Sequence, residues 1–324
     1  ELMTKPAQAN EPIEAGAERA GVHSTEAEGA GKKYYTRFSL SQRIEHFVLL
    51  VSFTTLGITG LAQKFSQSLL GAAIIGAFGG IQWTGVIHRS AAVVLMVISI
   101  YHIVASVYRV FVLRHSISMA PLPSDFLHLL DDVMYYLGRR KHKAYYGRYT
   151  YAEKMEYLAV VWGTAIMAIT GFMMWNPIAT TRVLPGEYVP AAKAAHGGEA
   201  LLAVLAIILW HFYHVHFRTF NKSMFTGKLS REEMLEEHPA ELEAIEAGRA
   251  GQRPPEEFIR RRQKIFFPFA AVFVLAAGYG LIRFVTFEDT AISTVPPGET
   301  APVFVPITPT PSPTPPPTRT PLPG

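Results

Sequence analysis

Five apolar segments, separated by polar connections, follow one another along the chain. A helix of about 20 residues spans the roughly 30 Å hydrocarbon core of a bilayer, so each segment is long enough to cross a membrane. The segments lie at residues 43–62, 88–112, 156–175, 196–218 and 265–282. This pattern predicts an all-α membrane protein with a four-helix transmembrane bundle and a fifth, C-terminal transmembrane helix.

The first and third segments share a sequence pattern. Glu45 precedes Gly60 by fifteen residues, and Glu156 precedes Gly171 by the same distance. Each of these glycines follows Ile-Thr. The second and fourth segments also correspond, since Tyr101-His102 aligns with Trp210-His211, so the bundle is predicted to consist of two repeated hairpins. Parallel repeats of this kind pack around an axis along the membrane normal, and functional sites lie at the interface between them.

Histidines occur near both ends of the second and fourth segments. His88 and His102 are fourteen residues apart, and His196 and His211 are fifteen apart. On an α-helix these steps end within about 40° and 60° of the starting direction, and the longer one rises roughly 22 Å. Each helix would therefore present two imidazoles on nearly one side at two depths. Ionisable residues inside a membrane are costly and indicate function, so these histidines are candidate ligands of two flat cofactors stacked across the bilayer.

The repeat leaves one histidine without a counterpart. Tyr101-His102 aligns with Trp210-His211, whereas His46 of the first segment aligns with Tyr157 of the third. An arginine follows seven residues after each second histidine, at Arg109 and Arg218. His46 therefore belongs to one half of the repeat only.

Composition narrows the possible chemistry. The chain has no cysteine, which excludes c-type haem attachment, thiolate-held iron–sulfur clusters and disulfides within it. Its net charge of +4 is uninformative overall, whereas the distribution of charge is informative, and no nucleic-acid partner is expected. Lysine and arginine are concentrated in the connections 113–155 and 218–264, so the positive-inside rule places these and the N-terminus in the cytoplasm. We therefore expect a multi-pass protein of the cell inner membrane with an extracytoplasmic C-terminus.

Several of these residues occur in a known arrangement. Arg43-x-x-His46 opens the first segment, His88-Arg89 opens the second, and the fourth carries His196 and Trp210-His211-Phe212-Tyr213. Over roughly residues 37–218 the chain resembles the membrane di-haem cytochrome b family, which includes the gamma subunit of formate dehydrogenase and the cytochrome subunit of nickel–iron hydrogenase. The resemblance implies a four-helix bundle that holds two b haems and passes electrons between quinone on one side and a partner subunit on the other.

The resemblance also implies ligand pairs, although one choice stays open. It pairs His88 with His196, and His46 with His211, whereas the repeat favours His102 as the partner of His211. A third haem would require His214 or His216 as a ligand. Three arginines close to the histidines could bind haem propionates or anchor the helices at the interface: Arg89, Arg109 and Arg218.

These expectations divide the chain into five parts. They are a disordered cytoplasmic arm at 1–36, a haem-binding cytochrome b domain at 37–220, a charged cytoplasmic linker at 221–264, a fifth transmembrane helix at 265–285 and a Pro/Thr-rich extracytoplasmic tail at 286–324. The predicted function is that of an electron-transfer subunit of a quinone-linked respiratory oxidoreductase. Its partners would be membrane lipid, quinone and an extracytoplasmic cytochrome c or iron–sulfur subunit. The alternatives are a quinone-independent transmembrane haem reductase and a haem-free membrane anchor.

Overall fold

The structure, a computed structural model, describes residues 25–26, 33–250 and 252–287. Its helices are α1 Leu40–Lys64, α2 Leu69–Ala77, α3 Ile81–Val107, α4 Pro123–Tyr136, α5 Tyr151–Trp175, α6 Pro177–Thr181, α7 Tyr188–Ala206, α8 Ser223–Thr226, α9 Arg231–Glu237, α10 Pro239–Glu246 and α11 Glu256–Thr286. Its strands are β1 Thr25–Glu26, β2 Lys33–Thr36 and β3 Lys228–Ser230. Within the described residues, five helices are long and apolar enough to cross a membrane, in agreement with the prediction.

The spanning helices are longer than the apolar segments because polar residues begin them. The Ser39 hydroxyl accepts a hydrogen bond from the Gln42 amide, and the Gln42 side chain accepts one from the Ser39 amide at 3.0 Å. Thr150 and Glu153 make the same reciprocal pair at the start of α5. Such capping boxes satisfy amide groups that the first helical turn leaves without partners. The two halves of the repeat therefore begin with the same local structure.

Two of the spanning helices end in wider, π-helical turns. Helix α3 continues as the π-helical segment Tyr108–Val112, and α7 continues as Ile207–Arg218. The sequence spacing predicts regular α-helix for both segments. An i→i+5 turn changes the direction in which successive side chains project, and such segments are frequent at functional sites. His211 lies in the longer segment, so its orientation does not follow from α-helical spacing.

The spanning helices pack in pairs. Helix α1 packs against α3 and α7, and α5 packs against α7. Helix α11 packs along α3, where Ile259 and Phe266 form a buried cluster with Val112. At its other end, Phe284 of α11 contacts the rings of Phe172 and Trp175 on α5. Helix α11 thus contacts both halves of the repeat.

A small folded cap covers the end of the helices at which α1 and α5 begin. Strand β2 pairs antiparallel with β1 and with β3. Tyr35, Leu229, Met234 and Leu242 form the buried core of the cap. The residues expected to form a linker at 221–264 therefore fold as α8, β3, α9, α10 and the start of α11. We refer to this end of the molecule as the capped side and to the other end as the open side.

The cap also corrects the boundary of the N-terminal arm. Lys33–Thr36, expected to be disordered, forms the central strand β2. The other residues of the predicted arm lie outside the described residues, except for β1. The predicted tail at 286–324 lies outside them as well, apart from Thr286 and Phe287. The N-terminal sequence contains no apolar alternation strong enough to predict β2, which is formed through its pairing with a strand almost 200 residues away.

A buried histidine in the cap predicts sensitivity to acid. His238 is 2% exposed, and its Nδ1 donates to the Gly147 carbonyl at 3.0 Å. Burial, with the nearby Arg37 charge acting in the same direction, lowers the pKa of His238 from 6.5 to about 4. The unfolded chain therefore takes up a proton in a pH range where the folded cap does not, and stability is lost as the pH falls from 6.5 toward 4.

We expect hydrogen exchange in residues 228–246 to accelerate between pH 7 and pH 4.5, after correction for intrinsic rates. His238→Gln is the matched control, because glutamine donates a hydrogen bond but does not titrate, and it should remove most of this pH dependence. Equal protection of the wild-type cap at both pH values would contradict the prediction.

Candidate functional site

Two pairs of histidine rings face each other between the helices. The rings of His46 on α1 and His211 on the π-helical end of α7 have centroids 6.4 Å apart. The rings of His88 on α3 and His196 on α7 are also 6.4 Å apart. Each pair joins residues from different helices and from different halves of the repeat. The structure therefore brings together the four histidines that the resemblance pairs.

The spacing of both pairs fits a metal ion between two imidazoles. Metal–nitrogen bonds to imidazole are about 2.0 Å long, which places two ring centres roughly 6.3 Å apart when they bind one ion from opposite sides. Haem iron in a b-type cytochrome takes its axial ligands from the protein in this way. The residues present at both pairs therefore fit a bis-histidine haem.

The hydrogen bonds of His88 and His196 leave Nε2 of each ring available to bind a metal ion. Nδ1 of His88 lies 2.9 Å from the Thr59 hydroxyl, and Nδ1 of His196 lies 2.9 Å from the Thr170 hydroxyl. Each hydroxyl donates its only proton to a carbonyl of its own helix, at 2.6 Å and 2.7 Å. Each hydroxyl must therefore accept from Nδ1–H, and the lone pair is then on Nε2. A neutral imidazole with this tautomer is ready to ligate a metal.

A carboxylate orients the ring of His211 in the second pair. Nδ1 of His211 donates to Glu156 Oε2 at 2.9 Å, which again leaves the lone pair on Nε2. Partners that bind the outer nitrogen of a ligating histidine fix its tautomer and raise its basicity. Three of the four paired histidines thus have the supporting hydrogen bond typical of metal ligands.

His102 has a different environment. Its Nδ1 donates to Glu45 Oε2 at 2.7 Å, and its Nε2 lies 3.0 Å from the Tyr157 hydroxyl. Glu45 also accepts from Arg109 at 2.8 Å. Since a carboxylate can only accept, Nδ1 carries the proton and Nε2 accepts from the phenol. Both nitrogens of His102 are therefore engaged, and the ring next to His211 is that of His46.

A cavity surrounds the pair formed by His88 and His196. Its volume is about 470 Å³, within the range of roughly 300–1,000 Å³ that small-molecule and cofactor pockets occupy. Both histidines line it, with apolar residues from α1, α3 and α5 and with Phe284 of α11. The cavity is thus a mostly apolar space that opens at the paired imidazoles, and the fifth helix forms part of its wall.

The three candidate arginines differ in their contacts. Arg89 lines the cavity, and its guanidinium lies 5.2 Å from the ring centre of Trp175. Arg109 donates to Glu45 and to the Ser41 hydroxyl, whereas Arg218 donates to the Tyr136 hydroxyl at 3.0 Å. Of these three arginines, only Arg89 lines the cavity and could bind a carboxylate of its occupant.

His214 and His216 contact residues of their own helical segment. Nδ1 of His214 donates to the Trp210 carbonyl at 2.8 Å, and its ring lies against that of Trp210. The ring of His216 lies 4.7 Å from that of Phe212. These local contacts give neither histidine the cross-helix pairing found at the two candidate sites.

Sequence reasoning missed the residues that support the paired histidines. The sequence marks Thr59, Thr170 and Glu156 only as members of the repeat, in which Ile-Thr-Gly and the glutamate recur. A polar residue that recurs in both halves of an intramembrane repeat is a usable signal, because an unpaired hydroxyl or carboxylate is costly in lipid. Its partner, however, depends on how the helices face each other.

Gly60 lies against the ring of His88. A Cβ atom placed on Gly60 would lie 3.0 Å from Cε1 of His88, which is tighter than ordinary van der Waals contact. We expect Gly60→Ala to displace the ring and to weaken the binding of haemin to the His88–His196 pair by about 1–3 kcal/mol, or roughly 5- to 150-fold.

Titration of the purified apoprotein with haemin would measure this change. Gly278→Ala on α11 is the matched control, because a Cβ there meets nothing within 4 Å, and it should bind as the wild type does. Equal haemin affinities of Gly60→Ala and Gly278→Ala would show that binding does not depend on the present position of the His88 ring.

Comparisons with known proteins add no relative to this picture. No family model matches the chain, and no curated protein matches it. The geometry of the histidine pairs is therefore the basis for assigning a function.

Proposed function

We propose that the chain is the b-type cytochrome subunit of a quinone-linked membrane oxidoreductase, related to the membrane di-haem cytochrome b family. The observation that carries this proposal is the presence of two cross-helix histidine pairs, both with ring centroids 6.4 Å apart. A histidine that only stabilises helix packing has no need for a second imidazole at metal-bridging distance. Two such pairs within one repeat favour a pair of cofactors over structural contacts.

The residues of the chain would hold and tune two haems. His88 and His196 would ligate the haem toward the open side, and His46 and His211 the haem toward the capped side. A six-coordinate b haem supplies reversible one-electron transfer and no open position for substrate. Thr59, Thr170 and Glu156 hold three of the imidazoles in the ligating tautomer, and Arg89 offers a cation to a propionate at the edge of the cavity.

The fold supports this arrangement as a four-helix bundle with a fifth helix beside it. Helices α1, α3, α5 and α7 each contribute to the paired sites or to their supporting hydrogen bonds, and α11 packs outside them. The basic connections on the capped side favour a cytoplasmic location for that side under the positive-inside rule. The N-terminus would then be cytoplasmic and the C-terminus extracytoplasmic, in the cell inner membrane.

Electrons would pass between a quinone near the capped side and an extracytoplasmic cytochrome c or iron–sulfur partner. Polar groups that could meet a quinone lie at the capped end of α1 and α3, where the hydroxyls of Ser41 and Tyr101 are 3.0 Å apart and Ser41 donates to Glu45. The chain has no cysteine for an iron–sulfur cluster of its own, so another subunit would have to supply one.

The decisive experiment is haem quantification on the purified full-length chain in detergent. A pyridine haemochrome assay should give two b haems per chain, with visible bands of a six-coordinate cytochrome b. Reduction of these bands by a quinol analogue, and its loss with a quinone-site inhibitor, tests the quinone step separately. Protein that has no visible absorption after expression with haem supplied would refute the proposal.

A further inference from the structure

The repeat relates the histidine pair on the capped side to a second contact, which joins a histidine to a tyrosine. His46 in the first half aligns with Tyr157 in the second, and His102 aligns with His211. Exchanging the halves therefore converts the pair His46–His211 into the pair Tyr157–His102. The structure contains both contacts, with ring centroids 6.4 Å and 5.9 Å apart. The capped side thus holds two symmetry-related positions, only one of which has two imidazoles.

The two positions also share a carboxylate contact to the histidine Nδ1. Glu45 binds Nδ1 of His102 at 2.7 Å, and Glu156 binds Nδ1 of His211 at 2.9 Å. The side chains of His102 and His211 are equally exposed, at 36% each. His102 therefore has the tautomer, the carboxylate partner and the accessibility of its counterpart. It lacks only a second imidazole.

Tyr157 takes the place of that imidazole and engages His102 as well. Its phenol donates to Nε2 of His102 at 3.0 Å, the nitrogen that would otherwise bind a metal. A protonated phenol that donates its hydrogen in this way is a poor metal ligand, and the hydrogen bond withholds the imidazole from one. The Ser106 hydroxyl lies farther from the same nitrogen, at 3.4 Å, so Tyr157 makes the shorter of the two contacts that close the position.

We propose that Tyr157 determines the number of cofactors, and that the position between Tyr157 and His102 is a latent third site for a bis-histidine haem. This inference rests on the proposed function, because it assumes that the two existing histidine pairs bind haem. In this proposal, Glu45 holds His102 in the tautomer that could ligate a metal, and the Tyr157 hydroxyl occupies the nitrogen that would do so. The wild-type chain then binds two haems and not three.

The first experiment opens the latent site. Tyr157→His supplies the missing imidazole, and the haem content measured by pyridine haemochrome should rise from two to three per chain. Tyr157→Phe is the matched control, since it removes the hydroxyl without adding a ligand, and it should retain two. Adding His102→Leu to Tyr157→His should return the count to two.

The second experiment exchanges the residues between the halves. His46→Tyr alone should leave one haem per chain, whereas the double variant with His46→Tyr and Tyr157→His should regain two. In that exchanged background His102→Leu should lower the count to one, and His211→Leu should leave it at two. In the wild-type background, by contrast, His102→Leu should leave the count at two, and His211→Leu should lower it to one.

The outcomes separate this inference from the proposed function. A wild-type chain without haem would refute the proposed function itself. Two haems in the wild type with no third haem in Tyr157→His, and no recovery in the exchanged variant, would overturn only the latent site. Loss of a haem from the wild type on His102→Leu would also overturn it, because His102 would then already be a ligand.

Discussion

Replacing His196 by leucine is expected to reduce the haem content of the purified chain from two to one, and to halve the b-type absorbance per chain. The ring of His196 faces that of His88 at 6.4 Å, with Nδ1 bound to the Thr170 hydroxyl. Leucine preserves apolar volume but supplies no ligand, and a haem with one axial histidine is held far less firmly. The measurement is a pyridine haemochrome assay normalised to protein.

Combining substitutions tests whether the pairs are the units of binding. His88→Leu with His196→Leu should still leave one haem, because both residues belong to one site. His46→Leu with His196→Leu should leave none. His214→Leu is the control on the same spanning segment, since His214 bonds to the carbonyl of its own helix, and it should leave two. A haem count of two in His196→Leu would show that this pair is not a binding site.

Which histidines pair could be predicted from the sequence only where the helices are regular α-helices. The five spanning helices follow directly from segment length and apolar content. Helical spacing placed His88 and His196 correctly on the side where the repeats meet. It could not decide between His46 and His102, because His211 lies in the π-helical segment Ile207–Arg218, and its direction is not that of an α-helix.

Long-range polar contacts account for most of what the sequence did not reveal. The cap depends on the pairing of β2 with β3 and on buried charged groups such as Arg37, which is 3% exposed and ion-pairs with Glu153. Neither segment has a strong local preference that would reveal the other. Phe284 similarly lines the cavity only because α11 packs beside α5, and the helix order along the chain does not specify that neighbour.

An asymmetry between the halves suggests how one repeat became specialised. Arg109 binds Glu45 at 2.8 Å in the half where His102 is closed by Tyr157. Its counterpart Arg218 bonds to Tyr136 instead and leaves Glu156 to His211. The Arg109 guanidinium balances the negative charge of the Glu45 carboxylate, which also accepts hydrogen bonds from Ser41 and His102. The same repeat thus places a histidine pair, the proposed cofactor site, at one of the two capped-side positions and a polar cluster at the other.

Replacing Lys154 by methionine is expected to destabilise the capped side by about 3–5 kcal/mol, because it leaves a buried carboxylate without its partner. Lys154 at the start of α5 donates to both oxygens of Asp125 on α4, at 2.8 Å and 3.0 Å, and each side chain is 10% exposed. Burial raises the pKa of Asp125, but the hydrogen bonds from Lys154 and the Leu122 amide outweigh it and hold that pKa below its usual range. Asp125 is therefore ionised at neutral pH and needs a cation.

The loss should appear as a lower temperature of unfolding in detergent, followed by tryptophan fluorescence at pH 7. Arg140→Met is the matched control, because Arg140, just beyond the end of α4, pairs with Asp131 on α4 at 2.8 Å but is 56% exposed. An exposed ion pair contributes about 1 kcal/mol at most, so this variant should unfold close to the wild type. Adding Asp125→Leu to Lys154→Met should recover much of the stability, since an apolar pair leaves no uncompensated charge. If the double variant were no more stable than Lys154→Met alone, the buried charge would not be the cause.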